Sequence, residues 1–174
     1  YAATPMSIVG GAEHHELAKQ AAAQSFVLLK NKAASLPLPE QPRSLLVVGP
    51  NASNIDVMLG NYSGFSSQVS TLLEGIVGRM PEGVEFDYRM SFNHEHPNTN
   101  PRNWGMFEGA KREYVIAALG LTPQMEGEEG DAINSAAVGD RERIELPQVQ
   151  VDFVQQLRER IDSESGAQSG AVDK

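Results

Sequence analysis

The densest group of chemically capable side chains is an acidic loop, Glu126-Gly-Glu-Glu-Gly-Asp131, with four carboxylates in six residues. Its two glycines let the backbone bend and approach a ligand closely. Carboxylates this close cannot all ionise freely, so we expect one of them to keep its proton to higher pH than a free glutamate does. A general acid must be protonated near neutral pH, so the loop fits that role. On residue types alone, an ordinary solvated acidic loop is the favoured interpretation of the pattern.

The acidic loop must be positioned by the elements that precede it. The apolar run Tyr114–Leu121 predicts a strand over 114–119, which delivers the acidic loop at its carboxyl end. Ser44–Gly49 is apolar throughout, which is typical of an inner strand of a parallel sheet covered on both faces. The turn Gly49-Pro-Asn-Ala52 follows at its carboxyl end, the edge where open α/β sheets bind ligands. The sequence therefore predicts a site at this edge.

The remaining elements alternate between helices and strands. The pattern predicts strands at 25–30 and 84–89 and helices at 13–24, 70–80, 107–113 and 148–161, with Thr71 or Ser70 capping the second helix. Residues 163–174 lack apolar periodicity, and we expect them to be flexible. The fold class is therefore α/β, a mainly parallel sheet of about four strands with helices on both faces, a partial α/β sandwich with flavodoxin-like layering.

Two loops could wall a ligand pocket. Asn61 and Tyr62 lie in the glycine-bounded segment Leu59–Gly64, which suits a sugar site or an ordinary turn equally well. Residues 91–104 are too rich in Asn and Pro for regular structure, and Trp104 is their candidate for stacking on a ligand. His94 and His96 could form a metal pair, but no third ligand stands at a recognisable spacing, so we expect neither metal nor cofactor.

Composition narrows the class of partner. The 174 residues include 14 basic and 23 acidic side chains, giving a net charge of −9, and no Lys/Arg cluster occurs. This balance argues against nucleic acid or an anionic membrane and favours a neutral partner such as a sugar. The chain has no cysteine and no apolar run near the ~20 residues of a membrane span. It opens on Tyr1 without an initiating Met, so we expect a processed or excised piece of a longer protein.

Taken in order, these landmarks resemble glycoside hydrolase family 3, specifically the α/β sandwich domain that follows the catalytic barrel in β-glucosidases and β-xylosidases. The β-xylosidase-like branch is the most similar. The matching residues are His14, Leu17-Ala18, Ala21-Ala22, Ser25–Asn31, Leu36-Pro-Leu38, Val47–Ala52, Leu59–Gly64, Leu119-Gly-Leu-Thr122, Glu126-Gly-Glu-Glu129, Gly139-Asp-Arg141, Ile144, Leu146-Pro147 and Gln150.

The resemblance implies a retaining β-glycosidase that uses two carboxylates. In that family an Asp nucleophile lies on the barrel and the acid/base Glu comes from the sandwich domain, with the two carboxyls ~5 Å apart. Glu128 aligns with the acid/base, and Glu126 is the alternative. Asp140 and Arg141 match the Asp-Arg that follows the acidic loop in relatives, so both join the expected substrate-binding residues, with Asn61, Tyr62 and Trp104. A longer insert separates them here, which leaves the register of the glutamates open.

The chain has no barrel and lacks the last strands of the sandwich, so we expect a piece of a larger enzyme that is inactive by itself. Its expected organisation is a linker at 1–12, the sandwich domain at 13–162 and the tail at 163–174. The expected partners are a carbohydrate substrate and the N-terminal barrel of the same enzyme, in an extracellular or periplasmic setting. An incomplete sheet with an exposed apolar edge would also favour a homo-oligomer. The alternatives are a stand-alone carbohydrate-binding or interaction module and, less favoured, a flavodoxin-like nucleotide domain.

Overall fold

A computed structural model describes residues 3–60, 64, 66, 68–100, 102–126, 141 and 143–169, with side chains up to residue 164. The chain divides between Pro39 and Glu40 into two compact units. The first unit contains helix α1, Ala12–Ser25, and two short 3-10 helices, Met6–Ile8 and Lys32–Ala34. The helix predicted over 13–24 is therefore confirmed to within one residue at each end.

The strand predicted over 25–30 is wrong. Residues 26–31 have no regular secondary structure, and four successive apolar side chains among them are exposed, from 64% for Leu28 to 91% for Leu29. A β-strand needs a neighbour that pairs its backbone N–H and C=O groups. None of the described strands pairs with this segment. An apolar run of strand length gives no information about whether such a neighbour exists.

The second unit is built on a parallel sheet of three strands, β1 (Ser44–Val48), β2 (Glu85–Arg89) and β3 (Tyr114–Ala117), in the spatial order β2-β1-β3. Central β1 pairs with both neighbours, so that Val47 lies opposite Tyr88 on one side and Ile116 on the other. Every residue of β1 is buried. The prediction of an inner strand in a parallel sheet is confirmed.

Side chains of β1 alternate between two apolar layers. Leu46 and Val48 pack with residues of α3 (Trp104–Gly109) and α4 (Gln148–Ser169), including Phe153 and Leu157 of α4. Val47 faces the opposite layer, where α2 (Leu72–Val77) contributes its apolar side chains. Helices therefore cover both faces of the sheet, as the apolar pattern of β1 predicts.

The helices after β1 follow the predicted order with shifted ends. Thr71 caps α2 and forms a capping box, in which its hydroxyl accepts from Glu74 N–H while the Glu74 carboxylate accepts from Thr71 N–H. Helix α3 begins at Trp104 rather than at residue 107, because the Asn103 side chain accepts a hydrogen bond from Met106 N–H and starts the helix there. Helix α4 continues past Ile161 to Ser169, and the flexibility expected of residues 163–174 stays a prediction. Among the described residues, no helix combines the length and apolarity needed to cross a bilayer.

A buried arginine at the opposite end of the sheet joins β2 to the turn before β3. The Arg112 side chain is 5% exposed and pairs with the carboxylates of Glu85, Asp87 and Glu108. Three carboxylates around one guanidinium offset the cost of removing its charge from water. This ion-pair cluster fixes the amino-terminal end of the sheet, away from the edge that carries the acidic loop.

The loop after β2 is attached to the turn after β1. A nitrogen of His94, Nε2, lies 2.6 Å from Oδ1 of Asn51, and the ring is half-buried. Burial lowers the pKa of His94, because the charged imidazolium loses hydration, while the nearby Glu95 carboxylate acts in the opposite direction. The neutral ring that donates to Asn51 is therefore the form that the fold favours.

We predict that acidification weakens the fold through His94. Its folded pKa lies below the ordinary value of about 6.5, so the unfolded state takes up the proton first as pH falls. The free energy of unfolding should therefore decrease as pH falls from the unfolded-state pKa of about 6.5 to the lower folded-state pKa. Below the folded-state pKa, His94 should make no further change to it. Urea denaturation at several pH values measures this dependence.

The matched variants are His94→Gln, which keeps an amide donor for Asn51 but does not titrate, and His96→Gln, which changes an exposed histidine of the same loop. His94→Gln should flatten the pH dependence, and His96→Gln should leave it close to that of the unaltered protein. Equal slopes for His94→Gln and the unaltered protein would contradict the assignment.

Candidate active site

The carboxyl edge of the sheet gathers three connections. The turn after β1 contains Asn51, the loop after β2 contains His94, and the segment after β3 leads through Gly120 to the acidic loop. Because all three strands are parallel, these connections leave from the same edge. The site predicted at this edge is therefore built from segments far apart in the chain.

A single buried amide from α4 joins the segment after β3 to the loop after β2. The Gln150 side chain is 0% exposed. Its Oε1 accepts from Gly120 N–H at 2.9 Å, and its Nε2 donates to Gly120 C=O at 2.7 Å and to His94 C=O at 3.0 Å. One side chain thus holds both the N–H and the C=O of Gly120, in the segment that follows β3.

Gly120 needs to be glycine for two reasons. Its φ of +143° lies in a region that residues with a Cβ rarely adopt. A Cβ at this position would also lie 3.0 Å from Nδ2 of Asn51, the residue whose Oδ1 contacts His94. The chain therefore passes closely over the turn after β1 and turns at the point where Gln150 holds it.

From Gly120 the chain makes one more ordered turn before the acidic loop. Thr122 and Met125 are buried, with exposed fractions of only 7% and 5%. The Thr122 C=O accepts hydrogen bonds from the N–H groups of Met125 at 2.9 Å and Glu126 at 3.2 Å. Buried side chains on both sides of this turn fix the start of the loop. Glu126, its first residue, is exposed.

The predicted site residues are described to different extents. Glu128, Asn61, Tyr62 and Asp140 lie outside the described residues, and so does most of the carboxylate cluster whose acidity we predicted, so these assignments stay predictions. Glu126 is described, at the start of the loop.

Trp104 and Arg141 have described surroundings. Trp104 is the first residue of α3 and is 56% exposed, with its ring centre 6.4 Å from that of Phe107. Arg141 donates from Nη2 to the backbone oxygen of Glu145 at 2.6 Å. A ring that is more than half exposed can still stack on a ligand, whereas the Arg141 guanidinium is partly committed to the backbone.

Sequence reasoning assigned no role to Gln150, although a signal was present. Gln150 occupies the buried face of α4 one turn before Phe153, followed by Leu157 and Ile161 at helical spacing. A polar residue at an otherwise apolar position must find hydrogen-bond partners inside the protein. Apolar spacing alone predicts that the buried face of α4 consists of Val149, Phe153, Val154, Leu157 and Ile161, which omits Gln150, and Val154 is in fact 38% exposed.

The two histidines of the loop after β2 have different surroundings. His94 uses Nε2 for Asn51, while His96 is exposed. Within the part of the chain that the structure describes, no three His, Cys, Asp or Glu side chains are placed to hold an ion together. His94 instead acts as a structural link at the sheet edge.

Comparison with known proteins identifies the domain type. The model of the glycosyl hydrolase family 3 C-terminal domain matches residues 26–163. The match includes the carboxyl edge of the sheet, the acidic loop and most of α4. It also begins at the exposed apolar segment after α1, so that segment is part of the matched domain although none of the described strands pairs with it.

The curated relatives are plant and microbial glycosidases. A β-xylosidase/α-L-arabinofuranosidase of Medicago sativa subsp. varia is 32% identical over 137 residues, 76% of this chain and 17% of the relative. The β-D-xylosidase 3 of Arabidopsis thaliana is 42% identical over 83 residues, 47% of this chain and 10% of the relative. The chain therefore spans less than a fifth of the length of these relatives.

Solved structures agree in fold. A family 3 exo-β-xylosidase in complex with a xylobiose aziridine activity-based probe superposes with a TM-score of 0.67 at 26% identity, covering 84% of this chain and 17% of that one. A β-glucosidase from Listeria innocua in complex with glucose gives 0.63 at 26% identity, covering 84% and 19%. The parallel sheet, the acidic loop and the family match together place this chain in glycosyl hydrolase family 3, as a C-terminal α/β domain.

Proposed function

We propose that this chain is the part of a retaining β-glycosidase that supplies the general acid/base, and that Glu128 is that residue. One observation carries the proposal: the family match covers an acidic loop whose origin is held at the carboxyl edge of the sheet by Gln150. Because a general acid must reach the leaving oxygen in a defined geometry, a fixed origin for its loop is a requirement of the chemistry. Glu126 is the alternative acid/base.

The acid/base acts twice in this mechanism. It first donates its proton to the glycosidic oxygen while a carboxylate nucleophile attacks the anomeric carbon, so the leaving alcohol departs neutral and a glycosyl ester forms. It then removes a proton from water as the water oxygen attacks the anomeric carbon, which releases the sugar and regenerates both carboxyl groups in their starting states. The single carboxyl therefore returns to its protonated form in each cycle.

The nucleophile must come from outside this chain. In our proposal it is an Asp on an N-terminal barrel of the same protein, and the length of the relatives, of which this chain covers 17%, leaves room for such a domain. Without that barrel the chain has only one of the two required carboxylates. We therefore expect the isolated chain to hydrolyse no glycoside.

The substrate class follows from the relatives and the charge. Names such as β-xylosidase and β-glucosidase apply to proteins that share this domain, so we propose a β-linked sugar as substrate. A net charge of −9 suits a neutral ligand. Five side chains are proposed to contact it: Asn61, Tyr62, Trp104, Asp140 and Arg141.

The domain boundaries also remain proposals. We propose a linker at 1–12, the sandwich domain at 13–162 and a tail at 163–174. The family match over 26–163 supports the carboxyl boundary. Association into a homo-oligomer is an additional prediction of the sequence.

Replacement of the acid tests the proposal in the intact protein. Glu128→Gln should lower kcat/KM for glycosides with poor leaving groups by about 10²–10⁴, because these need a proton on the departing oxygen. Formation of the glycosyl-enzyme from activated aryl glycosides should be largely spared, since their leaving groups need little protonation. Added azide should restore turnover of aryl glycosides, because this nucleophile needs no general base to attack the glycosyl ester.

Glu126→Gln is the matched control, since it removes a carboxylate from the same loop. Azide rescue restricted to Glu128→Gln supports the assignment, and rescue restricted to Glu126→Gln transfers the role to Glu126. If both variants lose activity equally towards all leaving groups, the acidic loop does not supply the acid/base.

Gln150→Leu tests whether the buried amide positions the acid. Leucine of similar size would leave Gly120 N–H, Gly120 C=O and His94 C=O without their partner, at a cost of about 1–3 kcal/mol for each buried group. We expect kcat to fall more for poor leaving groups than for activated ones, with KM little changed. Gln155→Leu, on the exposed side of the same helix, is the control and should leave kcat and KM unchanged for both leaving-group classes. An equal fall for both leaving-group classes would reduce Gln150 to a stabilising role.

A further inference from the structure

A second candidate site lies beside α3 and α4, within the second unit. The loop after β2, the first turns of α4 and the side chains of α3 enclose an open cavity of about 470 Å³. This volume falls in the range of small-ligand sites. The described residues that line it belong to the loop after β2, to α3 and its N-cap, and to α4.

The cavity has an apolar floor. Phe92 and Phe153 are buried with their ring centres 4.7 Å apart, and Met106 lies next to them. Phe107 forms part of the wall, and the guanidinium of Arg160 lies 4.2 Å from the centre of its ring and helps hold it. Phe92 and Phe153 are almost fully buried, so the accessible apolar surface of the cavity comes from Phe107 and the partly buried Met106. That surface suits the C–H faces of a sugar ring, since these faces are apolar.

Planar polar side chains line the rim. Gln156 and the carboxylate of Glu95 make no hydrogen bond to any described residue, although both line the cavity. Asp152 accepts from Gln148 Nε2 at 2.7 Å through one oxygen, which orients the carboxylate and leaves its other oxygen available. Acceptors and donors are therefore present together above the apolar floor.

The lining disfavours two kinds of charged ligand, organic or inorganic anions and metal ions. Its described lining contains no Lys, Arg or His, so no described cationic side chain would pair with a phosphate or carboxylate ligand, which would also meet two carboxylates. Glu95 and Asp152 are its two carboxylates, and the described residues contain no cluster of three or more acidic or imidazole groups that could hold a metal ion. Neutral ligands with many hydroxyls satisfy both the acceptors and the amide.

We propose that this cavity binds a neutral saccharide, with its ring against Met106 and Phe107 and its hydroxyls paired with Gln156, Asp152 and Glu95. The shape and chemistry of the cavity support this site independently of the glycosidase assignment. A sugar site here would add a contact with carbohydrate that does not use the acidic loop.

Calorimetric titration of the intact protein with xylobiose tests this proposal. The protein carries Glu128→Gln throughout, so that the disaccharide stays uncleaved during the titration if the glycosidase assignment holds. In this background Gln156→Ala and Asp152→Asn should each weaken one xylobiose binding event by about tenfold, which corresponds to the loss of one good hydrogen bond. Gln155→Ala is the matched control on the adjacent, non-lining position and should leave the affinity within about twofold.

Three results would overturn the proposal. Unchanged xylobiose affinity in both cavity variants would do so, as would an equal loss in Gln155→Ala. The third result combines two measurements: Asp152→Asn weakens the binding of tetramethylammonium, and it leaves the binding of xylobiose unchanged. This result would assign the cavity to an organic cation. Hydrolysis of an aryl xyloside by the protein with Glu128 intact is measured separately, so a failure of the glycosidase assignment is distinguishable from a failure of the cavity assignment.

Discussion

The hydrogen bonds of one buried amide set the geometry of the carboxyl edge. Gln150 is fully buried, and its side chain holds the N–H and the C=O of Gly120 while also donating to the loop after β2. A buried amide is costly unless its hydrogen bonds are made, so this arrangement tolerates little displacement. The amino-terminal end of α4, the end of β3 and the loop after β2 must therefore move together or not at all.

Other features of the edge are consistent with this constraint. Gly120 adopts a backbone conformation that other residues rarely adopt, and a Cβ there would lie 3.0 Å from Asn51 Nδ2, so the Asn51 side chain would have to shift. Asn51 in turn contacts the half-buried ring of His94. The three connections at the edge thus form one hydrogen-bonded group, and the acidic loop starts from it after a single buried turn. A rigid scaffold that carries a catalytic residue on a loop is a common solution to the positional demands of acid/base chemistry.

The layered fold could be predicted because periodicity reports burial. The unbroken apolar run of β1 indicated a strand covered on both faces, and a cap at Thr71 or Ser70 was predicted for α2, of which the structure shows Thr71. The segment after Ser25 shows the limit of this reasoning. Its apolar side chains match a strand equally well, but strand formation depends on a pairing partner elsewhere in the chain, which no local pattern records.

The site was predictable in part, for a related reason. The acidic loop and its place after an apolar strand could be recognised from residue types, and the position of its origin at the sheet edge is confirmed by the structure. The hydrogen-bond partners of Gln150 could not be recognised from the sequence, because Gly120 and His94 lie 30 and 56 residues away from it in the chain. Asn103 also shifts the start of α3, since capping by one side chain is a local effect that competes with apolar periodicity.

The most direct test of the central claim is a crystal structure of the intact protein with its nucleophile trapped as a stable fluoroglycosyl ester. Our account predicts that a carboxyl oxygen of Glu128 lies about 5 Å from the nucleophile carboxyl group, the separation of a retaining pair, and faces the anomeric carbon. A trapped enzyme in which a carboxyl group from outside residues 126–131 occupies that position would contradict the account.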